Sequence, residues 1–270
     1  MCLESTPVSN ETLLSIKSLS VNFGGLKALS NVNLDLHKNE VVGLIGPNGA
    51  GKTTVFNCIS GLVKSDSGKF EFDGVARAFP KPHELVDLGI TRTLQGVGLF
   101  NELSVLQNVM VGADKKHKPN FVKEILGLSG KTEAKLVQRA EEALAWVGGA
   151  SLIGRQPSEL SYPDSKRVAL ARALVINPSL LMLDEPAAGL GQDDIDALAS
   201  LIKQLKRRCS ILIVEHHVDF VREISDSVNV LNFGKLIASG SYDEVKKNPA
   251  VIEAYLGHTD NPDENSKLGA

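Results

Sequence analysis

The sequence has few cysteines, no strong excess of either charge and no long apolar run. Its cysteines, Cys2, Cys58 and Cys209, are far apart and lack metal-ligand spacing, so we expect reduced thiols. The net charge of −3 does not favour a nucleic-acid partner. No apolar run approaches the ~18 residues that span a bilayer. Because residues 1–12 are polar and lack the apolar core of a signal peptide, we expect a cytosolic chain that reaches a membrane only through an integral partner.

Short apolar stretches alternate with helical patterns along the chain, without an internal repeat. Apolar strands that alternate with helices indicate an α/β domain with a largely parallel central sheet. The predicted strands are 13–24, 26–46 (an alternating stretch and then the apolar run 41–45), 68–78 (with a turn), 179–186, 209–216 and 228–240 (a hairpin). The predicted helices are 51–59, 161–176, 193–208 and 242–257.

We predict a single domain with a helical insertion. Helical spacing replaces the strand pattern between the two halves of the core, which indicates an inserted subdomain. The predicted boundaries are a flexible N-terminus at 1–12, a core with a β-subdomain at 13–95 and 159–241, the insert at 96–158, a C-terminal helix at 242–257 and a disordered tail at 258–270.

A phosphate-binding motif stands at residues 46–53, GPNGAGKT, which match G-x-x-x-x-G-K-[ST] without a mismatch. The motif follows a predicted buried strand and opens a predicted helix, which is the context that supports it. Its glycines let the backbone curl with N–H groups directed at phosphate oxygens. Lys52 adds a cation, and the hydroxyl of Thr53 is a hard ligand for Mg²⁺. The motif therefore predicts nucleotide binding.

Polar side chains follow two further apolar strands. Asp184 and Glu185 end one strand, and His216 ends the next. Asp184 can hold Mg²⁺ through water, and Glu185 can polarise the attacking water as a general base. His216 would lie near the γ-phosphate and position that water. Solvated acids and a structural histidine are the alternatives, and His217 is assigned to the surface.

Gln95 and Phe23 are weaker candidates when each is taken alone. Gln95 lies where the core meets the predicted insert, and its side-chain amide can reach Mg²⁺ or the attacking water. Phe23 can stack on a purine base, although a lone phenylalanine is more often part of a core.

Taken in order, these stretches resemble the nucleotide-binding subunits of ABC transporters over residues 13–257. The matching elements are Phe23, GPNGAGKTT (46–54), Gln95, LSYPD (160–164), LLMLDEP (180–186), AAGLGQD (187–193) and His216. The finer resemblance is to the LivG-like ATPases of branched-chain amino acid importers. It rests on FGGLKAL (23–29), residues 88–113, LSY (160–162), VEHH (214–217) and NPAVIEAYLG (248–257).

The resemblance implies a P-loop NTPase with a RecA-like core, an antiparallel β-subdomain and an inserted α-helical subdomain, and it implies ATP and Mg²⁺ as cofactors. Glu185 and His216 are the implied catalytic residues. The implied Mg²⁺ ligands are Thr53, Gln95 and Asp184. The implied ATP-binding residues are Phe23, Gly46, Pro47, Asn48, Gly49, Ala50, Gly51, Lys52, Thr53 and Thr54. The implied signature residues, which act in trans on the partner's ATP, are Ser161, Tyr162, Pro163 and Asp164. The implied D-loop residues are Gly189, Leu190 and Gly191.

The resemblance also implies partners. Such a subunit pairs head-to-tail with a second ABC ATPase subunit, and the pair docks on two integral membrane permease subunits at the inner face of the cell membrane. A solute-binding protein delivers the solute. Urea or amide uptake and lipid or lipopolysaccharide-type export are the alternative transport roles. A GTPase is disfavoured because the chain has no Asn-Lys dipeptide, and a DNA-repair ATPase because the insert lacks sustained heptads.

The signature segment, LSYPD at residues 160–164, departs from the usual L-S-G-G-Q of the family. Ser161 is a good helix N-cap, and proline is tolerated in a first helical turn. Pro163, however, offers no N–H to a phosphate, and the carboxylate of Asp164 would repel it. We therefore expect an asymmetric heterodimer in which this signature grips the partner's ATP weakly. The alternatives are two active sites, or a subunit that clamps ATP with little hydrolysis.

Overall fold

The computed structural model describes residues 11–93, 96–116 and 130–256, which divide into two compact units. The first unit extends to Pro82 and resumes at Ile202, and the second lies between these points in the chain. Most of the N-terminus and all of the tail for which we predict disorder lie outside the described residues. Among the described residues, no helix combines the length and the apolar composition needed to cross a membrane.

Apart from the helix predicted at 242–257, the described residues contain the strands and helices that the sequence pattern predicts, with shifts at their ends. The strands are β1 Thr12–Phe23, β2 Leu26–His37, β3 Val41–Ile45, β4 Ser67–Phe72, β5 Val75–Arg77, β6 Ile90–Arg92, β7 Leu180–Asp184, β8 Ser210–Val214, β9 Ser227–Asn232 and β10 Lys235–Gly240. The α-helices are α1 Lys52–Ile59, α2 Leu85–Leu88, α3 Val105–Met110, α4 Gly130–Trp146, α5 Tyr162–Leu174, α6 Gln192–Leu205, α7 Val218–Ile224, α8 Tyr242–Val245 and α9 Pro249–Leu256.

The first unit contains an antiparallel sheet with the strand order β2-β1-β4-β5. Apolar side chains of β1 such as Leu14 and Ile16 are fully buried, whereas Lys17 on the same strand is exposed. One face of this sheet therefore covers the core and the other meets solvent, as in many antiparallel sheets. The predicted β-subdomain strands are confirmed.

The first unit also contains parallel strands, with β3 paired to β8 on one side and to β9 on the other. β10 extends this arrangement by pairing antiparallel with β9. Every residue of β3 and of β8 is buried. A strand with neighbours on both edges and apolar contacts on both faces needs a continuous apolar run, which is the pattern of VVGLI and SILIV. The prediction of a largely parallel α/β core is confirmed for these strands.

The second unit pairs β6 with β7 in parallel and also contains α2, α3, α4 and α5. The insert predicted at 96–158 contains α3 and α4, and residues 117–129 lie outside the described part. The single helix predicted at 242–257 is wrong, because the structure has α8 and α9 there. A capping box between Ser241 and Glu244 starts α8, and Pro249 lacks the N–H needed to continue it and instead starts α9.

The two described cysteines, Cys58 and Cys209, are buried free thiols. Burial raises the pKa of the Cys58 thiol to about 11 and that of Cys209 to about 12. Both are therefore protonated and unreactive at neutral pH, in agreement with the expected reduced thiols. Cys2 lies outside the described residues.

Asn108, in α3, is a fully buried side chain that organises the chain before its helix. Its Oδ1 accepts from the N–H of Phe100 at 2.8 Å, and its Nδ2 donates to the carbonyl oxygens of Phe100, Leu103 and Ser104 at 3.0, 2.9 and 3.1 Å. One amide thus bonds four backbone groups, of which the carbonyl oxygens of Phe100 and Ser104 also accept from backbone N–H groups. It fixes the path of residues 100–104.

Replacing Asn108 with aspartate should destabilise the protein, because it buries a charge and removes the donors to three carbonyl groups. We expect the free energy of unfolding to fall by about 3 kcal/mol, measured by denaturant unfolding. The matched control is Asn33→Asp, which keeps the acceptor for the N–H of Ser18 at an exposed position. Its effect should stay below about 0.5 kcal/mol. Equal losses in the two variants would contradict this role of Asn108.

Candidate functional site

The loop between β3 and α1, residues 46–51, is a backbone curl that depends on glycine. Gly46 and Gly51 have φ angles of 147° and 107°, which side chains rarely adopt. A Cβ atom at Gly46 would lie 2.1 Å from the carbonyl oxygen of Leu231, and one at Gly51 would lie 2.8 Å from Leu29 Cδ2. Neither position can accept another residue without moving the surrounding backbone or core. The predicted phosphate loop therefore has the tight geometry that its motif requires.

Lys52 begins α1 and is buried. Its Nζ donates to the carbonyl oxygens of Gly46 at 2.6 Å and Pro47 at 3.0 Å, so the ammonium group lies inside the curl. This cation adds to the positive end of the helix dipole, and both favour an anion at the loop. Thr53, the next residue, is exposed, and its hydroxyl is accessible to a ligand.

Backbone hydrogen bonds tie the loop to the β9–β10 turn and to β2. Gly234 donates its N–H to the carbonyl oxygen of Ala50 at 2.9 Å and accepts from the N–H of Ser30 at 2.8 Å. Phe23, at the end of β1, is paired with Leu26 at the start of β2, and about half of its side chain is exposed. An exposed aromatic ring on this hairpin suits the predicted stacking on a base, which stays a prediction.

His216 follows β8, the strand beside β3, so the phosphate loop and His216 leave the parallel pair at the same edge. Its neighbour Glu215 is fully buried, and the carboxylate accepts from the N–H groups of His216 at 3.0 Å and His217 at 3.2 Å. Glu215 thereby fixes the backbone that carries the exposed His216 side chain. Sequence reasoning missed Glu215, although a charged residue that directly extends an apolar strand was a readable signal.

The assignment of His217 to the surface is only partly right. The residue is half-buried, and its Nδ1 is buried without a hydrogen-bond partner among the described residues. His216 is the more exposed of the two histidines. Of the two histidines, His216 is therefore the one whose side chain is more accessible to a ligand.

In the second unit, Asp184 ends β7 as a buried carboxylate. Arg92, on the neighbouring strand β6, places its Nη2 2.6 Å from Asp184 Oδ2, and the hydroxyl of Thr93 accepts from the N–H of Asp184 at 3.3 Å. The side chains of this ion pair are only 11% and 5% exposed. Sequence reasoning missed Arg92, which the pairing of β6 with β7 brings to Asp184.

The donor chemistry of two predicted Mg²⁺ ligands fits that ion. Mg²⁺ prefers hard oxygen ligands, and Thr53 supplies a hydroxyl while Asp184 supplies a carboxylate. The third predicted ligand, Gln95, lies outside the described residues. All three roles stay predictions.

Glu185 has a φ angle of 48°, in the left-handed region that side chains other than glycine rarely adopt. Such a conformation costs on the order of 1–2 kcal/mol and persists only where the surroundings enforce it. The carbonyl oxygen of Glu185 accepts from the N–H of Ala188 at 3.2 Å, which closes a turn after the strand. Strain of this kind is common at functional sites, in agreement with the predicted role of Glu185, which stays a prediction.

Ser161 caps α5 as predicted, but its hydroxyl is used locally. Its Oγ accepts from the N–H of Asp164 at 3.2 Å and donates to Asp164 Oδ2 at 2.8 Å. The other oxygen, Oδ1, lies 2.7 Å from Arg167 Nη1. The charge of Asp164 is thus partly balanced by Arg167, which weakens the expected repulsion of a phosphate. The side chain of Asp164 instead accepts the hydrogen bond that the hydroxyl of Ser161 would donate to a phosphate.

The predicted D-loop residues 189–191 follow the turn after Glu185 and contact the signature segment. A Cβ atom at Gly189, where φ is 74°, would lie 3.0 Å from Tyr162 Cε1. The carbonyl oxygen of Gly191 accepts from the N–H of Ile195 at 3.0 Å and so belongs to the start of α6. The second unit therefore brings the signature segment, the D-loop and the turn after Glu185 together, whereas the first unit contains the phosphate loop, Phe23 and His216.

Removing Arg92 should destabilise the protein, because the buried carboxylate of Asp184 would lose its counter-charge. We expect Arg92→Met to lower the free energy of unfolding by about 3–5 kcal/mol in denaturant titrations. In Arg92→Met/Asp184→Asn, part of this loss should be recovered. The control Lys203→Met breaks an exposed ion pair with Glu223 and should cost about 1 kcal/mol or less. An Arg92 variant no less stable than the control would contradict the buried pair's importance.

Comparisons with known proteins agree with this geometry. A family model described as "ABC transporter" matches residues 29–188, and one described as "Branched-chain amino acid ATP-binding cassette transporter" matches residues 235–261. The chain therefore belongs to the ABC transporter family, as an ATPase cassette. The predicted fold class is confirmed, because the similar solved structures are ATP-binding cassettes.

The curated relatives narrow the resemblance. The chain is 39% identical to the high-affinity branched-chain amino acid transport ATP-binding protein LivG of Escherichia coli K12, over 92% of this chain and 99% of that protein. It is 36% identical to the corresponding protein BraF of Pseudomonas aeruginosa, over 91% and 98%. The predicted resemblance to LivG-like ATPases is confirmed.

Two solved structures show the same architecture. The ADP conformation of MJ1267, an ATP-binding cassette of an ABC transporter, has a TM-score of 0.81 and 31% identity and covers 92% of this chain and 100% of that one. The structure of cbiO1 from Clostridium perfringens, part of the ABC transporter complex cbiONQ, has a TM-score of 0.76 and 29% identity, with 93% and 96% covered.

Proposed function

We propose that this chain binds and hydrolyses ATP with Mg²⁺ and thereby powers the uptake of branched-chain or other hydrophobic amino acids through membrane partner subunits. The observation that carries the proposal is the glycine-dependent curl of residues 46–51 with the ammonium group of Lys52 inside it. Such a curl holds a polyphosphate. The names of LivG and BraF support branched-chain amino acids as the solute.

In this proposal the phosphates are held by Lys52 and by the backbone N–H groups of residues 46–54 other than Pro47, which has none, and Phe23 stacks on the adenine. Glu185 takes the proton of the attacking water, and His216 positions that water at the γ-phosphate. The carboxylate of Glu215 accepts from the N–H groups of His216 and His217 and so keeps the backbone of His216 in place while the nucleotide changes.

Thr53, Gln95 and Asp184 would hold Mg²⁺. When bound, the ion supplies charge neutralisation at the β- and γ-phosphates. The ion pair of Asp184 with Arg92 keeps the carboxylate oriented at the end of β7.

The proposed partners are a second ABC ATPase subunit and two integral membrane permease subunits, with a solute-binding protein acting upstream. The chain would lie on the inner face of the membrane, attached through the permeases. Uptake of urea or amides and lipid-type export are the other transport roles that the cassette architecture can serve.

We further propose that the ATPase pair is an asymmetric heterodimer. Two donors that a phosphate would use are missing from the signature segment, because Pro163 has no N–H and the hydroxyl of Ser161 donates to Asp164. Losing a hydrogen bond to a charged group costs roughly 1.5–3 kcal/mol, or about 10- to 100-fold in binding. The partner's ATP, which faces this segment, would turn over slowly, while the chain's own site stays competent.

Replacing Glu185 with glutamine should trap ATP. Without the general base, hydrolysis should fall by about 100-fold or more while the affinity for ATP changes little. Phosphate release and binding of a fluorescent ATP analogue measure the two effects. Glu253→Gln, at an exposed position of α9, is the control and should behave as wild type. Unchanged hydrolysis in Glu185→Gln would exclude its role as the base.

Restoring the usual signature should activate the partner's site. In Pro163→Gly/Asp164→Gln, position 163 regains an N–H, and the hydroxyl of Ser161 is released from its hydrogen bond to the Asp164 carboxylate. We expect single-turnover hydrolysis of the partner's ATP to rise about 10- to 100-fold in a mixture with the partner ATPase subunit. The exposed pair Pro82→Gly/Asp87→Gln is the control. Full turnover at both sites with the unaltered chain would contradict asymmetry.

A further inference from the structure

The four residues after Glu185, here named the post-strand turn (residues 186–189), are held by one lysine. The Nζ of Lys166 donates to the carbonyl oxygen of Pro186 at 2.7 Å and to that of Ala188 at 2.6 Å. Hydrogen bonds from a charged donor are stronger than neutral ones, and a lysine ammonium has three donors to distribute. A single side chain therefore fixes two alternate carbonyl groups of this turn.

The same lysine belongs to the first turns of α5, which the signature segment begins. Lys166 lies four residues after Tyr162, on the same helix face, and its ammonium group is 5.2 Å from the centroid of the Tyr162 ring. The hydroxyl of Tyr162 lies 3.4 Å from the carbonyl oxygen of Ala188, and its ring packs against Gly189. The start of α5 and the post-strand turn are thus joined on one side by a cation, a ring and a hydroxyl group.

This contact acts next to the strained backbone of Glu185. The left-handed conformation of Glu185 needs neighbours that enforce it, because the chain would otherwise relax to an ordinary φ angle. The turn's own bond from the N–H of Ala188 to the carbonyl oxygen of Glu185 is 3.2 Å long, longer than both bonds from Lys166. Lys166 therefore adds two short, charge-assisted hydrogen bonds to those that keep this turn closed.

We propose that Lys166 is a positioning residue for Glu185. It holds the post-strand turn, sets the direction in which Glu185 leaves the strand, and ties that direction to the start of α5. A displacement of the signature segment by the partner's nucleotide is then transmitted to the chain's own general base through one side chain. This proposal rests on the proposed function, since it assumes that Glu185 acts on a water molecule.

The test compares Lys166→Met, Lys166→Arg and the control Lys203→Met with the unaltered full-length chain. Methionine keeps the length of the side chain and removes its donors, arginine retains donors, and Lys203 forms an exposed ion pair with Glu223. Four quantities are measured for each: kcat and KM for ATP in a mixture with the partner ATPase subunit, the dissociation constant of a fluorescent ATP analogue, and amide hydrogen exchange along the chain.

We expect Lys166→Met to lower kcat by about 10-fold or more while KM and the dissociation constant stay within about twofold. The amides of Ala188 and Leu190, which close turns at this point, should exchange faster, and those of β7 should not change. Lys166→Arg should recover most of the kcat, and Lys203→Met should match the unaltered chain.

An unchanged kcat in Lys166→Met would overturn the proposal, as would faster exchange throughout the chain, which would show a general stabilising contact. A parallel rise in KM or in the dissociation constant would also overturn it, because the effect would then lie in nucleotide binding. An unaltered chain that turns over no ATP even in a mixture with the partner ATPase subunit would contradict the proposed function instead. In that case the exchange of the Ala188 and Leu190 amides alone decides whether Lys166 holds the turn.

Discussion

The backbone of residues 46–51 can curl as it does only because no Cβ atom is present at Gly46 or Gly51, and much of the first unit is arranged around that constraint. β3 carries the loop and is buried between β8 and β9, so the starting point of the curl is set by two ladders of hydrogen bonds. The β9–β10 turn then holds Ala50 through Gly234. The pairing of β3 with β8 also puts His216 at the edge where the loop begins. The need for glycine at the end of β3 thus constrains the positions of the β9–β10 turn and of His216.

Carboxylates lie at the ends of two buried strands, and Glu215 and Asp184 each have a compensating group close by. The carboxylate of Glu215 accepts from two backbone N–H groups, and that of Asp184 faces the guanidinium of Arg92. Desolvation makes such groups costly for stability unless they are fully paired. These pairings fix the directions of the side chains, because a paired buried carboxylate can adopt few orientations. The strand ends can therefore present side chains in fixed directions.

The parts of the fold that the sequence could predict are those encoded locally. The apolar runs of β3 and β8, the phosphate motif and the N-cap at Ser161 all depend on neighbours within a few residues. The ion pair of Arg92 with Asp184 joins positions far apart in the chain, and it becomes visible only when β6 pairs with β7. The contacts of Lys166 with the post-strand turn are hidden for the same reason. The break at Pro249 was readable from the sequence, because a proline cannot continue a helix.

The signature segment shows how two substitutions can act together at one helix start. Asp164 places a charge where the family has glutamine, and Arg167 balances much of it at 2.7 Å, so charge repulsion is a weak reason for a poor phosphate grip. The stronger reason is the loss of two hydrogen-bond donors to the phosphate. Pro163 has no N–H, and the hydroxyl of Ser161 donates its hydrogen bond to Asp164. The side of the helix that bears Tyr162 and Lys166 is untouched by these changes and still contacts the turn after Glu185. Under the proposed pairing, the chain keeps the contacts that serve its own site and lacks those that would serve its partner's, which is the division expected when the two subunits differ.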